Sequence, residues 1–181
     1  MTVEVWADVA CPFAHVGLTL LRRVRPDVDV RVRSWPLELV NEAPFDGAHL
    51  APEIKAVRDG VAPELFTGFD AAGFPASTLP ALAAERAAGT ELSYVLRDAL
   101  WERGLDVGDP AVLRSLGAPE GSVDAVLADF EEGKARGVQG SPHWFTSGGD
   151  FFCPSLDIRH EGDVWDVSFD RDGFERFLSS L

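Results

Sequence analysis

The sequence predicts an α/β protein with an all-helical insertion. Three observations carry this: a strand–helix–strand opening, a middle with helical periodicity alone, and a helix–strand–strand–helix close. Val3 to Asp8 alternates and is rich in β-formers. Pro12 to Val24 then carries Phe13, Val16, Leu20, Leu21 and Val24 at helical spacing. Pro12 suits the first helical position, where a missing N–H costs nothing, and this makes Cys11 the N-cap. Val28 to Trp35 alternates strictly, so a second strand follows the helix and runs parallel to the first.

From about Asn41 to Val107 Pro and Gly punctuate short apolar runs, and Leu79 to Ala88 and Glu91 to Arg103 read as helices. Asp109 to Leu116 reads as a short helix. Ser122 to Gly137 reads as a full one, opened by a serine N-cap and closed by Arg-Gly. Strands are expected over His143 to Ser147 and Asp150 to Cys153, joined by a Gly148-Gly149 turn. A further strand over Val164 to Phe169 precedes a final helix, Gly173 to Leu181. Residues 1–44 and 122–181 are therefore expected to form one α/β domain, interrupted by a helical insertion over 45–121.

Composition narrows the function. The 181 residues suit one domain with a real core, and no apolar stretch approaches the roughly 20 residues that span a bilayer. A membrane partner is not expected. The net charge of −14 repels a phosphate backbone, so nucleic acid is not expected either. Met1 runs directly into a strand-like segment with no basic n-region or apolar h-region, which makes the cytoplasm the expected location. Lysine is confined to Lys55 and Lys134, a bias typical of high-GC bacterial genomes. The two cysteines, Cys11 and Cys153, form neither a CxxC pair nor, with His49, His143 and His160, a metal-ligand spacing. No phosphate-loop pattern accompanies Gly137 to Gly140.

Cys11 sits where a thiol is most easily made reactive. Backbone N–H groups and the positive dipole end at a helix N-terminus stabilise thiolate and can lower a cysteine pKa from about 8.5 to between ~3.5 and 7.5. Here the donors would be the N–H groups of Phe13 and Ala14; the alternative is an inert buried cysteine. A second feature is Gly-Val-Gln-Gly-Ser-Pro at 137–142, which places Pro142 directly before a strand, where an X-Pro bond is a candidate for cis. Such a loop offers the backbone groups of Ser141 to an extended thiol or peptide ligand; a plain helix-to-strand turn is the alternative. His15 follows Cys11 by one helical turn, and if protonated it favours thiolate; otherwise it packs the helix. His143 either flanks the pocket or points away. Asp8 either holds a proton near the thiol or stabilises its own turn. Phe13 is expected to rim the site, while Trp35, Trp101, Trp144 and Trp165 suit core or pocket wall.

Together these segments resemble the DsbA-like branch of the thioredoxin superfamily. That branch includes FrnE-type dithiol isomerases, 2-hydroxychromene-2-carboxylate isomerases, kappa-class glutathione transferases and mycothiol-dependent nitroreductases. Val-Trp-Ala-Asp-Val-Ala-Cys-Pro-Phe-Ala (5–14) resembles the family's strand, acidic residue and Cys-Pro-aromatic-x active site. Residues 137–142 resemble its Gly-Val-x-Gly-x-Pro loop. Residues 34–44 resemble the segment that supplies an asparagine to a thiol cofactor, Asn41 being the matching position. Phe151 to Ser155 resembles an aromatic-Gly-Pro run, with Cys153 where glycine is expected. The resemblance implies a thioredoxin fold whose helical insertion covers the active-site face. It makes Cys11, Pro12, Phe13, Ala14 and Pro142 the catalytic set, with Asp8, His15, Asn41, Ser141, His143 and Cys153 around the substrate or thiol.

One departure reshapes that implication. Redox members carry Cys-x-x-Cys, and here Ala14 stands in place of the resolving thiol. The expected activity is a monothiol thiol-disulfide exchange, with Cys11 attacking a disulfide or electrophile and a small thiol or Cys153 releasing it. Release by Cys153 requires its Cα within about 7 Å of that of Cys11. No tightly bound cofactor is implied; glutathione or mycothiol is the candidate cosubstrate, and a small organic or peptide molecule the substrate. The alternatives are a thiol-dependent isomerase or transferase, and a redox-inactive binding module.

Overall fold

Alternation along Thr2–Ala7 (β1) sends Val3, Val5 and Ala7 to one face of the sheet and Trp6 to the other, and all four are fully enclosed. In the computed structural model of the protein, which describes residues 2–162 and 164–181, β1 leads through Pro12–Val24 (α1) to Asp29–Ser34 (β2). β2 pairs parallel to β1, with Val5 opposite Val32. Cys11 is the N-cap of α1, Pro12 opens it, and Arg22 and Arg23 lie in its last turn, where cations complement the dipole.

Five helices follow: Leu37–Val40 (α2), Gly47–Gly60 (α3), Leu79–Ala88 (α4), Thr90–Trp101 (α5) and Pro110–Ser115 (α6). Val123–Ala135 (α7) then returns the chain to the sheet. Ser122 is its N-cap residue in backbone terms, but its hydroxyl makes no capping bond. His143–Thr146 (β3) and Gly149–Phe152 (β4) complete a sheet of order β2-β1-β3-β4, with β3 antiparallel to both its neighbours. Thr146 pairs with Gly149, so the hairpin turn is Ser147-Gly148, one residue earlier than the sequence suggests.

Two features depart further from the sequence reading. Leu156–Glu161 (β5) is a strand that the pattern does not reveal, paired antiparallel with Val164–Phe169 (β6) in a separate two-stranded sheet. The last helix, Arg171–Ser179 (α8), starts two residues before Gly173, because the Asp170 side chain accepts the N–H of Gly173 and caps it.

α1 and α8 cover one face of the sheet through Leu18, Leu21, Phe174 and Phe177. α7 covers the other at Trp6 and Trp35, and Gly133 is what lets it approach, since a Cβ there would stand 2.7 Å from both indoles. The remaining core binds the helical layer to the start of α1, joining Ile54, Leu82, Leu96 and Trp101 with Val9, Ala10 and Val16. The β5–β6 hairpin lies on α3 so closely that a Cβ on Gly60 would meet the Val167 carbonyl at 1.9 Å. The site at the β1–α1 junction is thus enclosed on several sides.

Candidate active site

The turn from β1 into α1 is organised by Asp8, which is fully buried. Its Oδ1 accepts the N–H of Ala10 at 2.8 Å and the Thr78 hydroxyl at 2.9 Å, and its Oδ2 accepts the N–H of Leu37 at 2.7 Å. The turn's own carbonyls are held from α5, that of Asp8 by Arg97 and that of Val9 by the Trp101 indole, both at 3.1 Å. Burial pushes the Asp8 carboxyl up to about 6, against the pull of its donors and of Arg97. Asp8 builds the turn, its carbonyl also accepting the N–H of Cys11 at 3.2 Å, and the charge of its carboxylate acts on the thiol without a side-chain hydrogen bond between them.

Cys11, 2% exposed, donates from Sγ to the carbonyl oxygen of Ser141 at 3.0 Å. The Ser141–Pro142 peptide is cis. The Ser141 hydroxyl in turn accepts the N–H of Asp8 at 3.0 Å, tying the proline loop to the β1–α1 turn. Pro142 and Ala14 are buried beside this contact, and α1 passes the proline ring at Gly17.

The electrostatics correct the expectation of a lowered thiol pKa. Burial pushes Cys11 up to about 12; the Ser141 side chain and the Ala14 N–H pull it down, and the charges of Glu53 and Asp8 push it further up. The helix N-terminus does act on the sulfur, but desolvation and two carboxylates outweigh it. In the free protein Cys11 is a protonated hydrogen-bond donor.

Cys153 approaches the same loop from β4: its N–H donates to the Pro142 carbonyl at 3.0 Å. Both cysteines are free thiols. The backbone at Cys153 has φ +44°, the left-handed region that favours glycine, which accounts for the glycine expected there. Burial pushes its thiol up, and Cys11 adds to the effect. Cys153 also lines a cleft of 580 Å³ with Leu156, Ile158 and Phe169.

Other residues singled out in the sequence lie elsewhere. His15 does not serve the thiol: its Nε2 meets the Glu102 carboxylate at 2.9 Å and its ring packs on Phe66 and Trp101. Burial lowers its pKa against the pull of Glu102, so of the two alternatives the sequence left open it is the helix-packing one that His15 adopts. His143 lies on the Trp6 face of the sheet, against Phe145, whereas Trp144 packs on the Cys11 side. Its Nδ1 accepts the N–H of Gln139, and its Nε2 meets Asp150 at 3.1 Å. Asn41 is exposed at the C-cap of α2. Phe13 is half-buried, its ring 6.3 Å from that of Trp165 on β6. Glu53 on α3, whose charge acts on Cys11, has no local sequence signal that marks it. It is half-buried, and burial pushes it up to about 7.

Among the described residues no group of three or more His, Cys, Asp or Glu side chains is placed to hold a metal, and no helix is long and apolar enough to cross a membrane.

The profile of the DSBA-like thioredoxin domain matches residues 2–160. No curated protein sequence matches the chain. Among solved structures the fold is shared with a 2-hydroxychromene-2-carboxylate isomerase, at 16% identity and TM-score 0.57 over 84% of this chain and 88% of that one. It is shared with the cytosolic disulfide reductase DsbM of Pseudomonas aeruginosa, at 17% identity and TM-score 0.52 over 99% and 97%. A Nitrosomonas europaea protein provisionally assigned as a protein disulfide isomerase matches at 17% identity and TM-score 0.60 over 98% and 95%. With the profile spanning nearly all of the sequence and the architecture shared with these proteins, the chain belongs to the DSBA-like thioredoxin domain family.

Proposed function

We propose that the protein is a monothiol thiol-disulfide oxidoreductase in which Cys11 is the attacking sulfur and a low-molecular-weight thiol, glutathione, is the reductant. The observation that carries this reading is the seat of Cys11 Sγ on the Ser141 carbonyl of the cis-proline loop. As the thiol gives up its proton on reacting, the Ser141 carbonyl that it holds is left for an extended ligand beside the sulfur. Cys11 attacks a disulfide, forming a mixed disulfide and releasing one substrate thiol. Glutathione then attacks the substrate-side sulfur, freeing Cys11, and a second glutathione reduces the resulting glutathione–substrate disulfide. Ala14 supplies no internal thiol, so the resolving thiol comes from outside the Cys11 motif, and the two glutathiones supply both electrons of the net reduction. One of the structures that share the fold is DsbM with glutathione. At 16% identity that likeness carries the architecture, and the choice of thiol rests on the monothiol motif, which needs an external thiol.

A second reading, a redox-inactive binding module, is favoured by one observation, the burial that pushes the thiol up to about 12. Turnover separates the two. Glutathione-dependent reduction of bis(2-hydroxyethyl) disulfide, coupled to glutathione reductase, is expected for the wild type and lost in Cys11→Ser. Equal rates in both proteins, or none in either, overturn the oxidoreductase reading.

A further inference from the structure

We propose that the cavity between α1 and α5 is a binding site for a small organic carboxylate, independent of the Cys11 chemistry. The cavity holds 430 Å³, within the usual range of small-molecule sites, and its lining is part apolar and part cationic. Leu18 and Leu65, with the ring of Tyr94, supply the apolar wall. Arg22, Arg23 and Arg97 supply the cations, and Thr19 adds a hydroxyl.

The polar groups here share one property, donors without acceptors. The Arg22 guanidinium stands 4.2 Å from the centre of the Tyr94 ring, and its one hydrogen-bond partner among the described residues is the exposed Glu91, at 3.5 Å. A solvent-exposed pair at that distance contributes little and is readily given up. Neither the Thr19 nor the Tyr94 hydroxyl has a hydrogen-bond partner among the described residues. Arg23 gives one donor to Glu64 at 2.6 Å and keeps the rest. Arg97 is 1% exposed; its Nη1 meets Glu85 and Ser93 and its Nη2 the Asp8 carbonyl, but its Nε, also buried, has no partner. A buried donor left unpaired is uncommon in a folded protein.

The carboxylates at the cavity do not answer this surplus. Both Glu102 oxygens are taken, one by His15 and the Phe66 N–H, the other by Thr67. Asp98 faces Arg103 at 3.3 Å. Surplus donors beside an apolar wall are complemented by an acceptor-rich anion with an apolar body, and a planar carboxylate matches the fork of a guanidinium. In this site Arg22 binds the carboxylate, the Tyr94 and Thr19 hydroxyls donate to it, and Leu18 and Leu65 cover the apolar body.

Arg97 also carries the thiol turn, since the Asp8 carbonyl that it holds accepts the N–H of Cys11 at 3.2 Å. The variants that probe the cavity are therefore at Arg22 and Tyr94, which are not buried, and Arg97 stays in place.

The test is isothermal titration of the full chain with benzoate. Wild type should bind one benzoate per chain, and benzamide, the neutral isostere, at least about 10-fold more weakly. Arg22→Gln should weaken benzoate about 10- to 100-fold, and Tyr94→Phe, which keeps the ring, about 2- to 10-fold, with urea midpoints matching wild type. Inorganic phosphate, an anion with no apolar body, should bind more weakly than benzoate, and Cys11→Ser should bind benzoate as wild type does. The inference is overturned if wild type shows no saturable binding, if benzamide or phosphate binds as well as benzoate, or if Arg22→Gln leaves the affinity unchanged. Binding lost in Cys11→Ser overturns it as well, because the carboxylate then sits at the thiol.

Discussion

The Cys11 thiol donates to the Ser141 carbonyl oxygen at 3.0 Å, while the hydroxyl of the same serine accepts the N–H of Asp8. One residue therefore holds both the Cys11 sulfur and the turn that carries it. Ser141→Ala keeps the carbonyl but orphans the buried Asp8 N–H. It should lower unfolding free energy by about 1–3 kcal/mol, measured by urea denaturation. An unchanged midpoint contradicts the assignment.

Asp8 makes stability fall with rising pH. Its carboxyl is held at about 6 in the folded protein against 3.8 as the ordinary value, so the native state keeps a proton that the unfolded chain has already lost. The contribution is full below the unfolded value and disappears as pH rises through about 6. Asp8→Asn cannot ionise. The stability of wild type minus that of Asp8→Asn should therefore decline by on the order of 3 kcal/mol between about pH 4 and about pH 7. A difference that is flat or rises over that range contradicts the burial assigned to Asp8.

Glu102 acts with the opposite sign. Burial works against its charge, but donors from His15, Thr67 and Phe66 hold it at about 2. Its contribution is present above the ordinary value of 4.5 and is lost as pH falls towards about 2. Glu102→Ala should cost about 2–4 kcal/mol at neutral pH by orphaning backbone donors, a deficit that shrinks in acid. Denaturation curves at several pH values read both parts, and a deficit independent of pH counts against the charged network.

Cys153 occupies a backbone conformation at φ +44° that costs a residue with a Cβ about 1–2 kcal/mol. Cys153→Gly and Cys153→Ala both remove the thiol, but only glycine relieves the backbone. The glycine variant should be more stable than the alanine variant by about 1 kcal/mol, read from paired melts. The reverse order would mean that the site tolerates a Cβ without strain.

What was legible in the sequence was local. The alternation of Val3 to Ala7 and of Val30 to Ser34, Pro12 at the head of α1 and the loop ending in Pro142 each leave their mark within a few residues. β5 left none: beyond Leu156 and Ile158 it is largely charged and exposed, and it is a strand because β6 pairs with it. α3 was hidden by an interior proline, Pro52, and by Gly47 and Gly60 at its ends. The site divided in the same way. The position of Cys11 at the N-cap followed from the next residue, whereas its protonation depends on burial and on Glu53, 42 positions along the chain. The pairing of His15 with Glu102, 87 positions away, was out of reach for the same reason.

The most direct test of the central claim is the intact mass of the protein after exposure to glutathione disulfide, with Cys11→Ser and Cys153→Ser alongside. The account predicts one glutathione adduct per chain, present in wild type and Cys153→Ser, absent in Cys11→Ser and removed by excess free glutathione. An adduct that persists in Cys11→Ser, or a wild type left unmodified, contradicts it.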